Sequence, residues 1–140
     1  MATTQFELVT PTRTLYSGQA EMIVCRSVDG EIAFLANHMP YIGALDIGVV
    51  RIVGPVEDSG GASPPEVRLA VHGGFVEVKD NQVIMLADEA ELAAEIDVEA
   101  ARRAESEASN ALSSPGGETP DPAAEDAWRW ARVRLEAASP

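Results

Sequence analysis

The first 87 residues consist of short apolar segments separated by turn-forming residues. Residues 6–9 and 75–79 alternate apolar and polar side chains, with the period of a half-buried β-strand. Asp29 and Gly30 form a strong hairpin signal, because glycine accepts a positive φ at no steric cost. Many short strands with frequent turns predict a β-sandwich or a flattened barrel. The predicted strands are residues 6–9, 21–25, 31–35, 41–45, 49–53, 67–72, 75–79 and 83–87.

The hydrophobic period changes from strand-like to helix-like at residue 88. Asp88 is a candidate N-cap, and the acidic residues that follow suit the positive end of a helix dipole. Asp121 followed by Pro122 is typical of the start of a second helix. The pattern predicts a helical hairpin, with helices at about 88–112 and 122–138 and a Gly/Pro loop at 113–121.

These patterns divide the chain into a β domain at 1–87 and a helical hairpin at 88–140. Residues 54–66 are rich in glycine and proline and are long for a hairpin connection. Loop closure costs little extra free energy as a loop lengthens, so we interpret this segment as a tolerated surface insertion.

Charge and composition narrow the classes of partner. The 140-residue chain has a net charge of −13, with acidic residues concentrated at 88–112, which argues against nucleic acid as a partner. No apolar stretch reaches the length of a membrane span, and the N-terminus lacks the features of a secretory signal, so we expect no direct membrane insertion. Cys25 is the single cysteine and sits among apolar residues, as a buried thiol would.

Motifs that carry catalysis or bind cofactors are missing from the sequence. It has no phosphate-binding Walker pattern and no cysteine or histidine pair with zinc-ligand spacing. His72-Gly73-Gly74 resembles an esterase oxyanion loop, but the nucleophile elbow which that chemistry needs is absent. We predict no catalytic residue, no metal site and no cofactor, and we interpret the acidic run as a solvated helix face.

Six segments in order carry a family signature: residues 29–32, 36–40, 48–52, 70–78, 86–88 and 95–97. Together they resemble the epsilon subunit of bacterial and chloroplast F-type ATP synthases, over about residues 5–112 and more loosely in the last helix. The resemblance implies a ten-stranded sandwich of two sheets followed by a helical hairpin. It also implies a non-enzymatic subunit at the foot of the central stalk, whose partners are the gamma subunit, the c-ring and the alpha/beta catalytic hexamer.

The resemblance assigns expected contacts to two turns of the β domain. The c-ring is expected to meet an acidic turn, whose negative charge suits an arginine on the ring loops: Asp29, Gly30 and Glu31. Simple solvation of these acids is an equally good interpretation. The gamma subunit is expected to meet a second turn, in which Met39 replaces the family's usual small residue: Asn37, His38, Met39 and Pro40.

In the family, the hairpin lies folded on the sandwich or extends into the catalytic hexamer, where it blocks ATP hydrolysis. Basic residues of the second helix then meet the beta subunit. At about 100° per residue, Arg129 and Arg132 share a helix face and Arg134 points elsewhere, so we assign the contact to Arg129 and Arg132.

Some family members bind ATP through a motif on the first helix that this chain matches incompletely. Ile96 and Asp97 are present, but Ala100 stands where the motif has an arginine. Loss of the guanidinium removes the natural partner of a phosphate, so we predict weak or no ATP binding at Ile96 and Asp97.

Two alternative functions remain at this point. One is an unrelated β-sandwich adaptor that binds another protein, and the other is a small hydrolase that uses His72. For the stalk subunit we expect a peripheral position on the cytoplasmic face of a bacterial membrane, or on the stromal face of a thylakoid, since no mitochondrial transit peptide is visible.

Overall fold

The computed structural model describes residues 2–54, 66–113 and 121–139. Most of the predicted loops 54–66 and 113–121 lies outside these residues. The strands are β1 (Thr4–Val9), β2 (Thr14–Ala20), β3 (Met22–Ser27), β4 (Gly30–Leu35), β5 (Tyr41–Val53), β6 (Glu66–Lys79), β7 (Gln82–Ala87) and β8 (Ala90–Leu92). The helical elements are a short 3-10 turn (Ala93–Glu95), α1 (Val98–Leu112) and α2 (Pro122–Ala138).

Hydrogen bonds join the eight strands into one sheet with the order β2-β1-β7-β6-β5-β3-β4, and β8 pairs with β6. The β1 and β7 strands run parallel, and the other described pairs are antiparallel. Phe6 of β1 and Phe34 of β4 lie far apart in the strand order, yet both belong to one buried cluster. The sheet therefore curls until its two halves pack face to face, which confirms the predicted sandwich.

Two long strands explain why the structure has eight strands where about ten were expected. The β5 strand continues through the predicted break at 46–48, and β6 continues through Gly73 and Gly74. Both glycines have positive φ, 73° and 127°, so the backbone bends there without leaving the ladder. The pairing of Leu45 with Gly74 and of Ile47 with His72 keeps one register across the bend. The turn residues thus bend continuous strands that pass from one layer to the other.

The predicted start of the first helix at residue 88 is wrong. The helix α1 begins at Val98, and its N-cap is Asp97, whose carboxylate accepts from the Ala100 amide. The segment before it pairs with β6 instead, with Leu92 opposite Leu69. Ala90 and Leu92 pack against the main core, so sheet pairing and burial outweigh the helical propensity of this acidic segment.

The second helix has the bounds expected from its sequence. Asp121 is the N-cap of α2 and accepts from the Ala123 amide, and Pro122 occupies the first helical position. Helices α1 and α2 pack against each other through buried alanines, Ala101 and Ala108 on one and Ala124 and Ala131 on the other. These small side chains let the two helix backbones approach closely.

The hairpin lies against the sheet through α2, which contacts β5 and β6. A second, smaller buried cluster forms there from Ala70 of β6, Ile96 and Ala137 of α2, with Trp130 and Val133 packed beside it. The structure therefore holds the hairpin in its folded position. Neither described helix combines the length and the apolar character that a membrane span requires.

Candidate functional site

The acidic turn, Asp29 to Glu31, joins β3 to β4. The Ser27 hydroxyl fixes it, donating to the Gly30 carbonyl at 2.9 Å and accepting from the Asp29 amide at 3.1 Å. Gly30 has a φ of 125° and no atom within 4 Å of where a Cβ would stand. Asp29 and Glu31 are exposed, and so is the apolar Val28 beside them. The turn therefore presents a fixed tip that is partly apolar and negatively charged.

Residues 37–40 form a second exposed turn after β4. Asn37 has a φ of 62°, which asparagine tolerates better than most residues. The His38 ring packs edge-on against Phe34, and its Nδ1–H donates to the Met39 carbonyl at 2.8 Å. Met39 is 71% exposed. The turn thus projects a large apolar side chain from a backbone that is held in place.

Asn81 holds this turn in place, a role that the sequence did not reveal. Its side-chain oxygen accepts from the Asn37 amide at 2.8 Å, and its side-chain nitrogen donates to the Thr3 carbonyl at 3.0 Å. The Thr4 hydroxyl donates to the Asn81 carbonyl at 2.8 Å. Asn81 was recognisable as a turn residue, but sequence offers no sign of cross-links between positions so far apart.

An apolar patch covers part of the outer face of β5, β6 and β7. We define it as Ile42, Phe75, Ile84 and Leu86, which line a shallow cavity of about 270 Å³. Ile42, Phe75 and Leu86 are 73%, 62% and 57% exposed. The alternation along residues 75–79 predicted that one face of this strand is polar. Adjacent Phe75 and Val76 point to opposite faces of a strand, which was a signal that one apolar side chain must lie outward.

Arg129, expected to meet the catalytic head, bonds to the sheet in the folded hairpin. Its Nη2 donates to Asp46 Oδ1 at 2.9 Å, and Arg26 Nε lies 3.8 Å from the other carboxylate oxygen. Burial alone raises the pKa of the Asp46 carboxyl. The Ile47 amide and the two arginines together outweigh burial and hold that pKa below its ordinary value.

Arg132 points toward the first helix. Its Nη1 lies 3.9 Å from Glu105 of α1, and its guanidinium lies 5.1 Å from the centre of the Trp128 ring. Arg129 and Arg132 nevertheless line one open cleft with a volume of about 640 Å³. The two residues expected to act together therefore border the same space, although each has a different partner.

Two other arginines bind the hairpin to the sandwich. Arg134 lies largely buried, with its Nε 2.6 Å from Glu91 Oε1. Arg68 of β6 donates to the carbonyls of Ser139 and Glu136 at 2.6 and 3.0 Å. Those carbonyls stand at the end of α2, where backbone acceptors lack helical partners and the helix dipole is negative. Arg134 thus attaches the body of α2 to β8, and Arg68 attaches the end of α2 to β6.

His72 of β6 also contacts α2. Its Nε2 lies 2.7 Å from Asp126 Oδ2, and its ring packs edge-on against Trp130 with centroids 5.3 Å apart. The imidazole is thus engaged by the hairpin, and this geometry does not favour the hydrolase alternative.

The two residues of the incomplete nucleotide motif have clear structural contacts. Ile96 is buried in the small cluster beneath α2, and Asp97 caps α1. Burial of Ile96 and the cap formed by Asp97 account for both residues without a ligand.

Metal and thiol chemistry find no support within residues 2–54, 66–113 and 121–139. No three histidine, cysteine or acidic side chains in these ranges are grouped as a metal site requires. Burial, with a smaller contribution from the charge of Glu31, raises the pKa of the Cys25 thiol to about 12. The thiol therefore stays protonated at neutral pH and is a poor nucleophile.

Comparison with known proteins identifies the family. Residues 3–93 match the family described as ATP synthase, Delta/Epsilon chain, beta-sandwich domain. The ATP synthase epsilon chain of Brevibacillus brevis is 44% identical over 76% of this chain and 75% of that protein. The ATP synthase epsilon chain of Desulforamulus reducens is 38% identical over 99% of both chains.

A solved structure agrees with these relatives. A chain of the Euglena gracilis mitochondrial ATP synthase, from a cryo-EM structure of OSCP, F1 and the c-ring, superposes with a TM-score of 0.78. It is 26% identical and covers 99% of this chain and 82% of that chain. The protein therefore belongs to the epsilon-chain family of F-type ATP synthases and is a non-catalytic subunit of the central stalk.

Proposed function

We propose that this subunit transmits rotation of the c-ring to the catalytic head through the gamma subunit, and that its hairpin restrains ATP hydrolysis. The main support is the separation of its candidate contact surfaces. The acidic turn and the turn at 37–40 lie at opposite ends of β4, whose six residues extend about 20 Å. The hairpin packs on the parts of β5 and β6 around Val49 and Ala70. The three surfaces can therefore serve three partners at the same time.

The proposed gamma contact comprises the turn at 37–40 and the apolar patch. Pro40 lies two residues before Ile42, so the exposed Met39 side chain and the patch follow one another along the chain. Burying one large apolar side chain contributes about 1.5–3 kcal/mol, so a partner that covers this surface gains substantial affinity. The closeness of Met39 to the patch along the chain, and the exposure of both, support the contact expected from the family resemblance.

The proposed c-ring contact is the acidic turn. Its backbone is fixed by Ser27, while Asp29 and Glu31 remain exposed and available to a basic loop. Charge complementarity of this kind contributes more to association rate and register than to affinity. We therefore expect binding of the c-ring to weaken as salt concentration rises.

The proposed brake requires the hairpin to leave the sandwich. In the folded position Arg129 is bonded to Asp46, so it cannot contact the beta subunit while that bond lasts. Release breaks several polar contacts and exposes a small apolar cluster, which is a modest cost for an element with two positions. Arg129 and Arg132 then become available to the catalytic hexamer.

The first experiment measures binding of purified gamma subunit by size-exclusion chromatography and titration. Phe75→Asp should weaken binding about tenfold or more, because a buried Phe contributes over about 1.4 kcal/mol. Val28→Asp is the matched control, since Val28 is also 62% exposed but lies beside the acidic turn and outside the patch. Absence of any binding by the unmodified chain would contradict the proposed gamma contact.

The second experiment measures ATP hydrolysis by the catalytic complex with variants of this subunit. Asp46→Ala removes the partner that holds Arg129 in the folded hairpin, so we expect stronger inhibition. Arg129→Ala combined with Arg132→Ala breaks the same contact but also removes the proposed beta-subunit contacts, so we expect weaker inhibition. Equal inhibition by both variants would contradict a role for these arginines in the brake.

We further propose that the complex operates with this subunit on the cytoplasmic face of a bacterial membrane. The similarity to the Brevibacillus and Desulforamulus proteins favours that location over the stromal face of a thylakoid. For the incomplete motif at Ile96 and Asp97 we keep the prediction of weak or no ATP binding. Calorimetry that gives micromolar affinity would overturn it.

A further inference from the structure

His72 occupies the seam between the sandwich and the hairpin. It lies on β6 opposite Ile47 of β5, next to the bend at Gly73, and its side chain faces α2. Its Nε2 is 2.7 Å from Asp126 Oδ2, and its side chain is 28% exposed. A titratable ring therefore lies in a contact that must separate whenever the hairpin moves.

We propose that His72 and Asp126 form a proton-controlled latch, which holds α2 on the sandwich when His72 is protonated and loosens when it is neutral. This inference rests on the proposed function in one respect, the movement of the hairpin. It adds a chemical signal, proton concentration, that sets the balance between the folded and released positions.

The charges around His72 favour the protonated ring. Asp126 faces it from α2, and the Glu89 carboxylate acts on it from the segment before β8. On β5 the nearest charge is Asp46, which is already paired with Arg129 and Arg26.

Backbone contacts keep the acidic segment beside His72. The His72 amide donates to the Glu89 carbonyl at 2.8 Å, and the Asp88 amide donates to the Gly73 carbonyl at 3.2 Å. On β6 itself, the nearest basic residue, Arg68, is bonded to the carbonyls at the end of α2. The charged groups that act on the imidazole are therefore acidic.

These surroundings set the pKa of His72. Burial alone lowers the pKa, but the hydrogen bond and charge of Asp126, with the charge of Glu89, raise it above the ordinary value of 6.5. When the hairpin leaves, Asp126 leaves with it and the pKa falls toward the ordinary value. Linkage then requires the folded hairpin to bind the proton more tightly than the released one.

Protonation of His72 therefore favours the folded hairpin. The contribution of the latch is fully present below the pKa of the released state and is lost as pH rises through the higher pKa of the folded state. We therefore expect mild acidification to hold the hairpin folded and alkaline conditions to release it.

The first test follows the histidine ring protons of the full chain by NMR as a function of pH. The chain has two histidines, and His38, in the turn after β4, supplies a second set of ring signals as an internal reference. Asp126→Asn should lower the titration midpoint of His72 and leave that of His38 unchanged. Asp126 is half exposed, so this substitution should leave the sandwich folded. An unchanged His72 midpoint would overturn the latch.

The second test measures hairpin opening directly, by hydrogen exchange of the α2 amides corrected for intrinsic rates at each pH. In the unmodified chain, α2 protection should fall as pH rises through the titration of His72. His72→Gln keeps a hydrogen-bonding side chain but cannot titrate, so protection should lose this dependence. A pH dependence that survives in His72→Gln would refute the proposal. Because both tests use the isolated chain, they are independent of gamma binding and of ATPase inhibition.

Discussion

Gly30 and Gly74 share an unusual backbone conformation but have very different surroundings. Their φ angles are 125° and 127°, a region that side chains other than glycine rarely adopt. A Cβ at Gly30 would meet no atom within 4 Å, whereas a Cβ at Gly74 would collide with the Leu86 carbonyl. Gly74 is therefore required both by its φ angle and by the lack of space around it, whereas Gly30 is required by its φ angle alone.

This difference predicts unequal costs of alanine substitution, measured by urea unfolding. Gly30→Ala should destabilise the domain by about 1–3 kcal/mol through backbone strain. Gly74→Ala should cost more than about 4 kcal/mol, because β6 must also move away from β7. Equal costs would mean that the close approach to Leu86 is unimportant.

Asn81 allows a second prediction at the level of single residues. Asn81→Gly keeps the positive φ of 57° without strain but removes the bonds to Asn37 and Thr3. We expect a loss of about 1–2 kcal/mol in the free energy of unfolding. The neighbouring Asp80, with a φ of 51°, supplies the control, and Asp80→Gly should be neutral or slightly stabilising. Similar results for both positions would contradict the linking role of Asn81.

Sequence predicted single residues well where the signal was local. The Asp29-Gly30 turn and the Asp121 cap depend on neighbours within a few positions, and both occur in the structure. Asn81 and Phe75 were missed, because their roles depend on strands brought together from distant positions. The pairs Arg129 with Asp46 and His72 with Asp126 were missed for the same reason.

At the level of elements, α1 and α2 show when helix signals can be trusted. Both regions contain an aspartate N-cap signal followed by helix-forming residues. The signal at Asp121 has no competitor among the described strands, and α2 starts there. After Asp88, helix formation competes with pairing to β6, and the segment pairs with β6 as β8. Local capping rules therefore fail where an adjacent strand can bury the same apolar residues.

The attachment of α2 depends on its polar contacts, so their loss should free the helix without unfolding the sandwich. Arg134→Met removes a largely buried ion pair and leaves Glu91 without that partner. We expect the free energy of α2 opening, measured by hydrogen exchange, to fall by about 2 kcal/mol, which raises the population of the open state roughly thirtyfold. The control is Arg132→Met, since Arg132 is 59% exposed and 3.9 Å from Glu105, and its effect should be small. Equal effects would contradict the assignment of Arg134 as the stronger anchor.

For the whole molecule, the division of the apolar residues into two clusters indicates independent stability. The main cluster draws its members from the strands up to Leu92, with no residue of α1 or α2. A chain shortened to residues 1–96 should therefore unfold cooperatively, with a Tm lowered by about 4–16 °C, as expected for the loss of about 1–2 kcal/mol from a domain of this size. Calorimetry tests this. A shortened chain without a cooperative transition would show that the hairpin is part of the folding unit.

Composition contributed little to the function, and ordered motifs contributed most. The acidic charge excluded classes of partner, but any soluble adaptor fits the same composition. The ordered segments led to the epsilon-chain family, which residues 3–93 confirm. Which surfaces are apolar, and how the hairpin is attached, emerged only from the fold, because both depend on the three-dimensional arrangement of strands.

The parallel pairing of β1 with β7 has a consequence for how the chain acquires its fold. Gln5 lies opposite Gln82, so the first strand of the chain stays unpaired along one edge until almost the whole β domain has been synthesised. Until then, β1 and β2 form an isolated hairpin, which is marginally stable in water. Long-range pairing of this kind slows folding to milliseconds or seconds. The nascent subunit thus exposes an open strand edge on the ribosome, and β7 is the strand that closes it.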